Sequence, residues 1–131
     1  MKLVLDTNVL IAGFISHGTC NELIEHCAIN HKVVLSQFIL VEFREKLIHK
    51  FGFATLEAES AASLLESRFE IVMPLKLAEP ICRDADDDQV IGTALAGSCE
   101  CIVTGDKDLL DLHRIKQVHM ISPSRFWAFE K

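Results

Sequence analysis

The run Leu3-Val4-Leu5, followed at once by Asp6-Thr7-Asn8, constrains this chain more than any other stretch. Three consecutive apolar residues bounded by polar ones read as a short strand buried on both faces, as in parallel sheets covered by helices. In open α/β sheets, ligands gather beyond the carboxyl ends of the strands, where the next loop and helix begin. Asp6 stands there. It is either a carboxylate facing a ligand or, like Asn8, a cap for the helix that Val9 to Phe14 implies. These residues leave both open, and the other acids of the chain must decide.

The same alternation continues. Thr19-Cys20-Asn21-Glu22 has the form of a capping box, with Thr19 as cap, for an amphipathic helix through Leu23, Ile24, Cys27 and Ala28 to near Asn30. Lys32 to Leu35 reads as a second buried strand, and Ser36 caps a helix from Gln37 to Lys50, with Gly52 just past its end. Thr55 to Phe69 forms the next predicted helix, packing through Leu56, Ala61, Leu64, Leu65 and Phe69, and Glu70 to Met73 a strand closed by Pro74. A helix from Asp87 to Gly97, a strand Cys101 to Thr104, a short helix through Leu112 and a strand Val118 to Ile121 follow, before a last turn with Phe126 and Trp127. Short apolar strands alternating with helices require right-handed crossovers and a mainly parallel sheet covered on both faces. The expected fold is a three-layer α/β/α sandwich, a single domain over residues 1–131.

Half of the residues are hydrophobic and 24% are charged, the balance of an ordinary globular protein. No apolar run approaches the ~20 residues of a membrane span, and no leader pattern is present, so the expected location is the cytoplasm, away from membranes. The five cysteines are odd in number and scattered, and Cys99-x-Cys101 lacks the spacing of zinc or redox pairs. Free thiols in a reducing compartment are expected. A net charge of −6 opposes electrostatic binding of nucleic acid, unless acids cluster around divalent cations that offset them.

Periodicity singles out one acid from the run Asp84-Ala85-Asp86-Asp87-Asp88. Asp87, Val90, Ile91 and Ala94 are spaced i, i+3, i+4, i+7, so Asp87 heads the buried stripe, while Asp88 lies about 100° round the helix. An inward carboxylate needs a partner, and a metal shared with Asp6 and with Asp106, two residues beyond Thr104, supplies one. Carboxylates without His or Cys are hard donors suited to Mg2+ or Mn2+, and such sites hold phosphates and activate water. The chain has neither a Gly-rich phosphate loop nor a nucleophile elbow. On pattern alone, Glu42 projects from the exposed side of its helix, paired with Lys46 at i, i+4.

With Leu5-Asp6-Thr7-Asn8-Val9-Leu10, Glu42, the Asp84–Asp88 run and Val103-Thr104-Gly105-Asp106-Lys107-Asp108-Leu109-Leu110 in this order, the chain resembles the PIN-domain nucleases. Within them it is similar to the VapC-like toxin components of bacterial and archaeal toxin–antitoxin systems. The likeness spans nearly the whole chain. It implies a PIN-like sandwich with Asp6, Glu42, Asp87 and Asp106 as the four acids at the carboxyl edge of the sheet, against the pattern-only reading of Glu42. It implies Asn8 and Thr104 as supporting polar residues that orient the carboxylates. The implied activity is RNA hydrolysis to 5′-phosphate and 3′-hydroxyl ends, with Mg2+ or Mn2+ held by Asp6, Asp87 and Asp106 and with Glu42 binding metal or orienting water.

Single-stranded RNA suits a narrow acidic cleft, and the implied partners are a protein antitoxin over that cleft and a second copy of the chain. Asp84, Asp88 and Asp108 are read as helix-start acids, and Lys46, His49 and Lys50 as ordinary surface charge. Ala85 stands where relatives often carry proline, which loosens the approach to the acidic loop. The alternative is a PIN-fold module without turnover that binds RNA or a protein; its mark would be a missing acid, and none is missing. A receiver-type phosphoacceptor domain would need an acid after the third strand, which ends instead at Met73-Pro74.

Overall fold

The computed structural model describes residues 1–130. β1 (Lys2–Leu5), α1 (Thr7–Ile15) and α2 (Thr19–Asn30) lead to β2 (Lys32–Ser36), then α3 (Gln37–His49) and α4 (Thr55–Arg68) lead to β3 (Glu70–Val72). There follow α5 (Ala85–Ala96), β4 (Cys101–Val103), α6 (Lys107–Leu110), β5 (Arg114–Ile115), β6 (Val118–Ile121) and α7 (Pro123–Phe129). The strands form one sheet in the order β3-β2-β1-β4-β6-β5, parallel except where β5 meets β6.

The direction of travel assigns the helices to faces. The chain steps from β1 to β2 to β3 one way across the sheet, then returns past β2 and β1 to β4 through α5. Right-handed crossovers that travel in opposite directions lie on opposite faces. Accordingly α1 packs on α2 and α3, α3 packs on α4, and α5 lies against β1, β2 and β4. The result is a three-layer sandwich around a mainly parallel sheet. Leu3, Val4, Leu5, Ile102 and Val103 are fully buried in its central strands. Each large aliphatic side chain so buried contributes roughly 1.5–3 kcal/mol.

The chain leaves β1 toward one side of the sheet and later places β4 on the other, which makes their carboxyl ends the switch point where α/β folds open a crevice. Leu5 is in register with Val103, and the Asp6 N–H donates to the Val103 carbonyl at 2.9 Å. Asp6 and Thr104 therefore emerge side by side. Gly92 in α5 permits a close approach on the same face. A Cβ there would lie 2.4 Å from the Leu75 carbonyl oxygen, and the Leu75 N–H donates to the Gly92 carbonyl at 2.9 Å.

Several local expectations shift. α1 begins at Thr7, which makes Asp6 its N-cap, and α2 is capped by the Gly18 backbone, with Thr19 already helical and no side-chain cap. Leu56 and Leu64 are largely exposed, because α4 turns Ala58 and Ala61 inward instead. Small residues there let α4 lie close to its neighbours. β5, two residues long, has no period to read, and it is set off by left-handed residues at His113 (φ 60°) and Lys116 (φ 52°). Ala85 is the first residue of α5, where an N–H has no intrahelical partner, so alanine serves the helix start much as proline does. All five cysteines are free. Among the described residues no helix is long and apolar enough to cross a membrane.

Candidate metal centre

Asp6 is held from both sides. Its Oδ1 accepts from the Thr7 N–H at 2.7 Å and its Oδ2 from the Thr104 hydroxyl at 2.7 Å. Thr104 Oγ1 in turn accepts from the Asp106 N–H at 3.0 Å. One hydroxyl thus locks the end of β1 to the loop after β4. Asp6 is only 6% exposed, and burial raises its carboxyl above the ordinary range. The two hydrogen bonds act in the opposite direction, and the charges of Glu42 and Asp106 add to the rise. The neighbouring Thr7 hydroxyl is buried with no hydrogen-bond partner among the described residues.

Asp87 points inward from the first turn of α5 and is 9% exposed. Burial, the charge of Asp106, a hydrogen bond shared with Asp106 and the charges of Asp84 and Asp6 push its carboxyl up to about 7. Asp87, Asp106 and Asp108 each place a carboxylate oxygen within 4.8 Å of the others. Asp6 stands outside that tight group but within its electrostatic reach. The field extends to Cys82, whose thiol is pushed up to about 12 by burial and by Asp88, Asp87 and Asp106. An oxygen-only set with surplus negative charge and no Lys or Arg bonded to Asp6, Asp87 or Asp106 among the described residues fits a hard divalent cation.

The remaining acids sort by their hydrogen bonds. Asp84 caps α5 through the Asp86 N–H at 2.9 Å, and Asp86 is exposed. Asp88 accepts from the Ile81 N–H at 3.2 Å and the Cys82 N–H at 2.9 Å, pinning the loop before the helix. Asp108, read from the sequence as a helix-start acid, joins the cluster while Arg83 contacts both of its oxygens at 3.1 Å. The signal for it was its spacing: two residues after Asp106, it offers its own N–H to the Asp106 carboxylate at 2.9 Å.

Glu42 is half-buried on α3 and forms no ion pair among the described residues; its charge is felt at Asp6. Lys46 turns from Glu42 to Asn8, donating to Asn8 Oδ1 at 3.2 Å. Asn8 is exposed and forms no hydrogen bond to a carboxylate among the described residues, where Thr104 is the one of the two supporting residues that bonds an acid directly. His49 pairs with Glu45.

A family model described as PIN domain matches residues 2–108. No curated protein matches the chain significantly. Among solved structures, the chain is similar to one in the crystal structure of VapBC2 from Rickettsia felis bound to a DNA fragment from their promoter. The TM-score is 0.66 at 18% identity, over 93% of this chain and 98% of that one. It is similar to the same degree, TM-score 0.66 and 18% identity, to a chain of VapBC-1 from nontypeable Haemophilus influenzae, over 95% of this chain and 99% of that one. At this identity the likeness speaks to the fold.

Proposed function

This chain belongs to the PIN domain family, and from that premise we propose that it is a divalent-metal-dependent endoribonuclease, the toxin of a toxin–antitoxin pair. The observation that carries this reading is the Asp87–Asp106 pair, two carboxylates brought together at the carboxyl edge of the sheet with burial and mutual repulsion uncompensated. Asp6, Asp87 and Asp106 would hold Mg2+ or Mn2+, with Asp108 beside them. Such a cation, when bound, supplies positive charge to the scissile phosphate and makes water nucleophilic near neutral pH.

The chain's own residues do the rest. Thr104 fixes the Asp6 carboxylate, so its geometry need not reorganise during reaction. Glu42, whose charge is felt at Asp6, would orient the attacking water or take up its proton. Lys46, held by Asn8, and Arg83, held by Asp108, flank the acids and would guide the phosphate backbone. Water oxygen bonds to phosphorus, the bond to the 3′ oxygen breaks, and that oxygen takes a proton. The products are a 5′-phosphate and a 3′-hydroxyl. Single-stranded RNA is the substrate because a splayed backbone enters a narrow acidic crevice.

The likeness to chains of VapBC2 and VapBC-1 supports the reading of an antitoxin partner, and we further propose that it covers the crevice and that two copies of the chain associate. We take residues 1–131 as one nuclease domain acting in the cytoplasm. Incubating the purified protein with mixed cellular RNA in Mg2+, Mn2+ or chelator, and mapping the cut ends, tests the activity. Cleavage restricted to the metal-containing samples, with 5′-phosphate ends, is expected. RNA or partner binding with no cleavage in any metal would replace the enzyme with a binding module of the same fold.

A further inference from the structure

A second cluster of metal-ligating groups lies at the opposite end of the sheet from the acids. α2 ends at Asn30, and the chain turns directly into β2. His26, just before the last turn of α2, and His31, at its C-cap, therefore face the same space across four intervening residues. α7 packs on α2 and ends with Glu130 as its C-cap. Glu130 Oε2 contacts His26 Nε2 at 2.5 Å and also contacts His31 Nε2. The three ligand atoms all lie within 4.8 Å of one another. The imidazoles are backed by aromatic rings of α7: Trp127 lies 4.8 Å from His26 and Phe126 lies 5.9 Å from His31, centroid to centroid. The side chains of His31 and Glu130 are largely buried, while His26 leaves one side open to solvent.

We infer that His26, His31 and Glu130 form a second cation site, specific for Zn2+ or a similar late first-row ion, that clamps α7 onto α2 and the start of β2. Two imidazoles and one carboxylate are the donor set of a four-coordinate zinc site whose last position is filled by water, and a His-x4-His spacing is within the usual range. Oxygen-loving Mg2+ is disfavoured by the two nitrogens, so the chain separates its cations by chemistry: hard ions at the carboxyl edge, a borderline ion here. In the metal-free protein the carboxylate takes hydrogen bonds from the two rings. On binding, the ion takes the Nε2 lone pairs and the ring protons pass to Nδ1. The Met1 amino group, 3.1 Å from His31 Nδ1, then releases a proton to solvent and accepts from that ring, and the Asn30 amide, 3.2 Å from His26 Nδ1, turns its oxygen to accept from the other. The cluster joins residues 26, 31 and 130, which are distant in the chain, so an ion bound only to the folded state stabilises it by mass action.

The test titrates Zn2+ into metal-free protein in the presence of excess Mg2+, by calorimetry and thermal denaturation, with Co2+ absorption as a reporter of four-coordinate nitrogen and oxygen ligation. One equivalent of zinc and a raised Tm are expected. His26→Ala and Glu130→Gln should each weaken zinc by about tenfold or more, the scale on which loss of even an outer partner of a metal site is felt. The Asp87→Asn/Asp106→Asn protein should retain the zinc response. His26 is the histidine to change because its side chain is 28% exposed against 8% for His31, so the variant should fold. Melting both variants in chelator checks that they do. Absence of zinc binding by the wild type would overturn the inference. So would zinc binding that survives His26→Ala but is lost in the aspartate double variant, since the ion would then occupy the acidic centre.

Discussion

At the amino edge of the sheet Glu70 and Glu130 each sit between two basic side chains, whereas at the carboxyl edge Asp87 and Asp106 sit against each other. Glu70, the first residue of β3, reaches Lys2 at 3.6 Å and Lys32 at 3.4 Å. Hydrogen bonds from His31 and His26 hold the Glu130 carboxyl below its ordinary range. Asp87 is pushed the other way, to about 7, by burial and by Asp106. The same residue class is thus stabilising at one end and strained at the other. At the amino edge, carboxylates held by basic side chains fasten the fold; at the carboxyl edge, carboxylates held only against one another are what a hard cation would relieve.

The largest effect that would break this comparison is on turnover. Asp6→Asn, Asp87→Asn and Asp106→Asn should each lower RNA cleavage by about a hundredfold or more, as for loss of a major electrostatic group. Because the acids act as a unit, a double variant should be little worse than a single one. Glu42→Gln should match them if Glu42 is a ligand and fall short if it only orients water. Glu70→Gln, at the other edge, should change cleavage less than about twofold. Equal losses from Glu70 and Asp87 would mean that both edges serve stability alone.

Next comes the pH dependence of folding in chelator. A carboxyl whose folded-state pKa is raised binds protons more readily in the native protein, so stability from this group is greatest at low pH and falls as pH rises from about 4 through 7. Asp87→Asn should abolish that fall and stabilise the metal-free protein by on the order of 2 kcal/mol at pH 8, with no gain near pH 4. Urea denaturation across this range measures it. A gain that is the same at both ends of the range would refute charge as its cause.

Thr104→Val should cost about 1 to 2 kcal/mol, because it leaves the Asp106 N–H and one Asp6 oxygen without their partner. Thr104→Ser should recover most of the loss, in stability and in cleavage alike. The smallest effect is at Glu70. Its pairs are partly exposed, so Glu70→Gln should cost no more than about 1 kcal/mol at low salt and almost nothing at high salt. A Glu70 effect as large as that of Thr104 would show that the amino-edge pairs are more than surface contacts.

Features governed by neighbours in the chain were readable from the sequence by itself. An apolar run ending in Asp6 makes a buried strand with a carboxylate at its carboxyl end, Ser36 caps α3 through the Ile39 N–H, and the phase of Val90, Ile91 and Ala94 turns Asp87 inward. The strand–helix alternation carries the parallel sandwich with it. Tertiary structure decided which polar groups meet, since these contacts cross long sequence separations. Thr104 reaches Asp6 only because β1 and β4 run in register, and Lys46 goes to Asn8 instead of Glu42 only because α3 packs on α1. Pattern could not see β5, too short for a period, nor the exposure of Leu56 and Leu64, since two alanines give α4 a closer fit than leucines would. Periodicity fixes which face of an element is apolar. Where that face lands, and so whether a carboxylate meets a cation or another carboxylate, is fixed by the order in which strands join the sheet.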